Sequence, residues 1–219
     1  MGGHDTSGSV VGASGDVNGD GVGDLLIGAR NADPKGLNEA GESYVVFGVR
    51  GGLPAVFELS SLNGSNGFIL NGVAAEDFSS TTLASAGDLN ADGFDDVVVG
   101  AQFADPNGIF NAGQAYVFFG APGPFPASID LADLDGVTGF AINGNRQIDP
   151  VASSVASGGD LNADGVDDLI IGADGASLAD DGSFSGPLSF STDRRLWSTT
   201  WRSMMEFSRS SSSSIRPSM

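Results

Sequence analysis

The chain has no cysteine, a single histidine and only nine basic residues among 219. The first absence excludes a disulfide framework, a thiolate metal site and a cysteine nucleophile. The second leaves His4 as the only imidazole for a Ser-His-Asp triad, and no Gly-x-Ser-x-Gly elbow accompanies it. His4 therefore reads as an exposed residue without chemistry. Residues 1–182 hold 26 of the 28 acids against Arg30, Lys35, Arg50 and Arg146, a formal balance of −22. Such a surface repels nucleic acid and anionic membrane. No apolar run approaches the roughly 18 residues of a membrane span, and residues 1–4 show no signal-peptide features. The glycine-rich stretches lack the Lys-Ser/Thr of a phosphate loop. Asp95-Asp96 and Asp167-Asp168 are adjacent carboxylates, but neighbours on a strand point to opposite faces, which does not suit a glycosidase pair. No enzymatic activity is expected.

What the chain does have is a repeated acidic loop. Asp-x-Asn-x-Asp-Gly-x-x-Asp occurs at residues 16–24, 88–96 and 160–168, each copy 72 residues after the last. Side-chain oxygens at alternate positions, with glycine at the sharp turn, are how a short loop wraps a hard cation such as Ca²⁺. The expected ligands are Asp16, Asn18, Asp20 and Asp24 with the Val22 carbonyl; Asp88, Asn90, Asp92 and Asp96 with Phe94; and Asp160, Asn162, Asp164 and Asp168 with Val166. About three Ca²⁺ sites are thus expected. An all-oxygen set without nearby His or Cys disfavours zinc and copper, and Mg²⁺ prefers to retain several waters. The same nonapeptide opens helical EF-hand loops, which need a bidentate Glu at position twelve. Ile27, Val99 and Ile171 stand there, inside aliphatic runs that read as strands.

The 72-residue step extends beyond the loops. Tyr44-Val45-Val46-Phe47-Gly48 returns as Tyr116-Val117-Phe118-Phe119-Gly120, and Gly67-Phe68-Ile69-Leu70-Asn71-Gly72 as Gly139-Phe140-Ala141-Ile142-Asn143-Gly144. Each unit reads as four short strands separated by Gly, Asn, Asp and Pro turns such as Asp33-Pro34-Lys35-Gly36. One leads into the loop (residues 9–14, 81–86, 154–158). One leaves it (residues 25–27, 97–99, 169–171). The Tyr-Val-Val-Phe and Gly-Phe-Ile-Leu types complete the unit. Residues 130–136 form another acidic stretch, read as a turn before the fourth strand. Asn63-Gly64-Ser65 matches a glycosylation sequon inside a turn, and no Arg-Gly-Asp is present. A repeated four-stranded antiparallel unit predicts an all-β protein built of β-propeller blades.

These motifs resemble FG-GAP repeats, the units of the propeller head of integrin α subunits and related bacterial surface proteins. Phe47-Gly48, Phe119-Gly120 and Gly120-Ala121-Pro122 carry the signature, and the resemblance spans residues 4–186. It implies calcium loops that staple two strands of a blade, an extracellular or cell-surface location, and a protein or glycan ligand at a cell surface. Adhesion or ligand binding is the implied role. An accessory domain of a larger secreted hydrolase, or a gene fragment without independent function, are the alternatives. Residues 1–186 hold about two and a half units, an incomplete propeller needing further blades or another chain to close a ring. Residues 187–219 are expected to be an atypical tail holding both Trp and the run Ser210 to Ser214. An out-of-frame translation of a third blade accounts best for this break in phase. A disordered Ser-rich extension or an interfacial helix using Trp197, Trp201, Met204 or Met205 with Arg194, Arg195 and Arg202 are the competing readings.

Overall fold

The computed structural model describes residues 5–148 and 150–173, and the backbone of residues 188–190. His4 and the proposed helix around Trp197 and Trp201 lie outside the described residues. The fold is all-β, as expected, with short 3₁₀ turns and no α-helix among the described residues.

Unit one comprises β1 (Val10–Gly15), β2 (Asp24–Ala29), β3 (Glu42–Val46) and β4 (Gly67–Asn71) in one antiparallel meander. Unit two repeats it with β5 (Thr82–Gly87), β6 (Asp96–Ala101) and β7 (Gln114–Phe118). Between β7 and the fourth strand, β8 (Ser128–Asp130) leaves its own unit and pairs in parallel with β4, before β9 (Gly139–Asn143) completes unit two. Unit three shows β10 (Val151–Gly159), β11 (Asp168–Ala173) and β12 (Leu188–Phe190). Leu169 pairs with Phe190 as Val97 pairs with Phe118, so β12 keeps the repeat's register although it lies beyond Gly186. A ladder of backbone hydrogen bonds can hold that register without the Tyr-Val-Val-Phe side chains. Three blades do not close a ring among the described residues.

The turn expected at residues 130–136 before the fourth strand is present, with a strand ending on its first residue, Asp130. Leu131–Asp133 is a 3₁₀ turn, and Ser128–Asp130 ahead of it is a borrowed edge strand. Asn71 fixes it by donating to Ser128 Oγ at 2.8 Å and to Asp130 Oδ1 at 2.7 Å, and Lys35 forms an ion pair with Asp130.

Two cores lie between sheets, and a third, smaller one (Ala29, Tyr44, Val46 and Leu62) lies on the outer face of unit one under its own connecting segment. The aliphatic run leaving each loop alternates its faces, as a strand must. Leu26 joins Phe68, Leu70, Val97, Val99 and Tyr116 in a cluster between units one and two. Val98 turns the other way and joins Val117, Leu169 and Ile171 between units two and three. Phe125 stacks on Phe68, ring centroids 4.7 Å apart, and Phe68 meets Phe118 at 5.2 Å. Aromatic packing thereby adds to apolar burial at the first junction.

Candidate metal centre

Each acidic loop is the connection of a hairpin, β1–β2, β5–β6 or β10–β11. A register shift marks the last residues of the leading strand in all three, so the loop opens from the same backbone kink. The loop is then wound by its own side chains. Asp16 accepts from the backbone N–H of Asp20 at 3.0 Å and of Gly21 at 2.8 Å. Asn18 Oδ1 accepts from Asp20 N–H at 2.9 Å, and Asp20 Oδ1 from Val22 N–H at 2.8 Å. Asp88, Asn90 and Asp92 repeat this set at 2.9–3.0 Å, as do Asp160, Asn162 and Asp164. The glycine at position six adopts φ values of +79°, +91° and +89°, the left-handed turn that the motif demands.

The ninth aspartate has a different setting. Asp24 is buried; its Oδ2 accepts from Val17 N–H at 3.0 Å and its Oδ1 from Gly48 N–H at 2.8 Å. Asp96 holds Leu89 N–H and Gly120 N–H, both at 2.9 Å, and Asp168 holds Leu161 N–H at 2.8 Å. In units one and two it thus ties the loop to the end of the third strand. This arrangement explains the glycine of the Phe-Gly pair. A Cβ on Gly48 would strike the Gly23 carbonyl, and one on Gly120 the Asp95 carbonyl.

Burial pushes the Asp24 carboxyl up to about 6 and the Asp96 carboxyl up to about 7. The two backbone N–H bonds to each oppose the shift, and the first and fifth aspartates of the same loop add to it by repulsion. In loops one and two a divalent cation would relieve this repulsion and favour the ionised carboxylates. The donor chemistry fits Ca²⁺: three carboxylates, one amide oxygen and a backbone carbonyl within nine residues. The arrangement fits in part. Among the described residues no three acidic side chains are grouped as a metal site requires. Each carboxylate oxygen has two lone pairs, so one N–H bond per oxygen leaves Asp24 and Asp96 capacity for a cation.

Beside the first loop a cleft of about 320 Å³ is lined by Asn18, Asp20, Val22, Phe47 and Arg50. Arg50 donates to the Asp20 carbonyl at 3.4 Å, whereas Pro122 stands at the matching place in unit two.

Sequence reasoning weighed Asp95 and Asp167 only as carboxylates beside a ligand and missed their reach to another loop. Asp95 Oδ2 accepts from Asp16 N–H at 2.7 Å, and Asp167 Oδ2 from Asp88 N–H at 3.1 Å, each reaching the preceding unit's loop. The available signal was position eight of the loop, which is Asp in units two and three and Gly23 in unit one.

Comparison with known proteins agrees with this architecture. The chain is 33% identical over 168 residues to integrin alpha-IIb of Mus musculus, covering 74% of this chain and 14% of that protein. It is 32% identical over 165 residues to integrin alpha-5 of Xenopus laevis, covering 73% and 14%. Phosphatidylinositol-glycan-specific phospholipase D of Rattus norvegicus is 33% identical over 109 residues, covering 50% of this chain and 13% of that enzyme. The chain thus spans about one seventh of the length of these relatives. The FG-GAP repeat model matches residues 7–46, 80–118 and 151–186, one match in each unit and more than half of the sequence together. With that motif in all three blades, the chain belongs to the FG-GAP repeat family.

Proposed function

We propose that this chain is a calcium-binding, ligand-binding propeller segment of a cell-surface or secreted adhesion protein, with no catalytic role of its own. The observation that carries the reading is the threefold acidic loop, wound alike in each unit and anchored by a buried aspartate. Asp16, Asn18, Asp20, Asp24 and the Val22 carbonyl would hold one ion, and the matching residues of loops two and three would hold the others. Bound calcium would offset the carboxylate repulsion and lock each hairpin, a structural role that steadies the blade for a protein or glycan ligand. The repeat region read at residues 1–186 continues in this reading through β12 (Leu188–Phe190), and the separate tail follows it.

Similarity to a phospholipase D favours a second reading, an accessory propeller attached to a hydrolase whose catalytic part is encoded elsewhere. Sequencing the flanking gene separates the two: further repeats with a surface anchor support adhesion, and a catalytic motif supports the hydrolase. Among the described residues no helix is long and apolar enough to cross a membrane.

Calorimetric titration of the full chain with Ca²⁺, paired with thermal melts, tests the calcium reading. Dissociation constants of about 10⁻⁴–10⁻³ M are expected for extracellular modules. Each site would add about 2.7 kcal/mol at a hundredfold excess over its dissociation constant. Identical melts in chelator and in calcium, with no ion retained in native mass spectrometry, would remove it.

A further inference from the structure

We propose that Asp95 and Asp167 are positioning residues that couple neighbouring loops, so that each sets the cation affinity of the loop before it. The proposal rests on the calcium reading above. Its basis is a pair of two-way backbone clamps between units. Asp95 Oδ2 takes the Asp16 N–H at 2.7 Å, and Asp95 N–H returns a bond to the Asp16 carbonyl at 3.1 Å. Asp167 does the same to Asp88, at 3.1 Å and 3.2 Å. Both clamps span 79 residues, so they are a repeated device and not an accident of one loop.

Each clamp ends on the first aspartate of a loop, the residue that also winds that loop through Gly21 N–H or Gly93 N–H. Each begins beside the ninth aspartate of the following loop, whose oxygens hold that loop's base. The chain leaves space for the clamp. A Cβ on Gly15 or Gly87, the residues just before the clamped aspartates, would collide with the Asp95 or Asp167 carboxylate. Fixing the backbone of the first ligand removes conformational freedom that cation binding would otherwise have to remove.

The test is an NMR titration of the ¹⁵N-labelled full chain with Ca²⁺, following the Gly21, Gly93 and Gly165 amides as separate reporters of the three loops. Asp95→Ala and Asp95→Asn lose the same charge, but only the amide keeps an acceptor for Asp16 N–H. The alanine variant is expected to raise the Gly21 midpoint about fivefold above the asparagine variant, as loss of a neutral hydrogen bond implies. Its own loop, read at Gly93, is expected to shift less than about threefold on the same scale. Asp167→Ala should move Gly93 and spare Gly21. Equal Gly21 midpoints in the two Asp95 variants overturn the coupling, as does a larger shift at Gly93 than at Gly21. If the alanine variant fails to fold, Asp95→Glu keeps the charge and displaces the carboxylate by a methylene; an unchanged Gly21 midpoint there has the same consequence. A wild-type chain whose amides ignore calcium defeats the underlying calcium reading instead, and the two failures are thereby distinct.

Discussion

Strands β2, β6 and β11 carry nearly the same aliphatic run, yet their surroundings differ. All of β6 is buried, because Val97 and Val99 face unit one while Val98 faces unit three. In β2 the position matching Val98 is Leu26, fully buried against unit two, but Leu25 on the opposite face is 43% exposed. In β11 the pattern is inverted: Leu169 and Ile171 are buried against unit two, and Ile170 is 37% exposed. Burial along this run thus follows what covers each face, a neighbouring unit for Leu26 or unit one's own connecting segment for Ile27. A run that is apolar on both faces is written for a blade with two neighbours.

The sharpest way to break this comparison is to truncate both faces of β2. Leu26→Ala should cost about 3 kcal/mol, while Leu25→Ala costs less than about 1 kcal/mol, because only the first leaves a cavity between sheets. Urea unfolding midpoints measure both, and equal losses would refute the junction argument. Next in size is Asp96→Asn, expected to cost about 2 kcal/mol in chelator by mispairing one of two buried backbone N–H groups. An unchanged midpoint would show that the anchor at the loop base is dispensable.

A smaller effect concerns pH. Asp77 is buried at the junction between units, whereas its counterpart Asp5 is exposed. Burial raises the Asp77 carboxyl from 3.8 to about 6, helped by repulsion from Asp105 and opposed by a hydrogen bond to the Ala74 backbone. The folded chain therefore keeps this proton after the unfolded chain has lost its own. This contribution to stability falls as pH rises from about 4 to about 6, then levels off. Asp77→Asn should flatten that part of the profile in denaturation series, and Asp5→Asn should leave it in place. Smallest is Ser14→Ala. The Ser14 hydroxyl is buried without a hydrogen-bond partner, and unit two has Ala86 at the same position. A gain of up to about 1 kcal/mol in the melt is expected, and a loss would mean that the hydroxyl has a role.

What was legible in the sequence was whatever a single unit determines. The loops, the Gly-Phe strand and the Tyr-Val-Val-Phe strand are short-range features whose residues announce their own turns and alternation. What could not be read was contact between units. Position eight of the loop looked like a second carboxylate beside a ligand, because its partner lies 79 residues away and is chosen by how adjacent sheets stack. Ser128, Ile129 and Asp130 were equally silent: three residues carry too little alternation to announce a strand, and their pairing partner belongs to another sheet.

That borrowed strand has a practical meaning for anyone cutting the gene. β8 covers the outer edge of β4 with chain drawn from unit two. An excised first blade ending at Gly72 would lose that cover and present a bare row of amides and carbonyls, the template on which sheets stick to one another. A soluble single-blade fragment should therefore graft Ser128–Asp130 onto the β4 margin, since a cut at Asp130 itself would retain β5–β7 without β9.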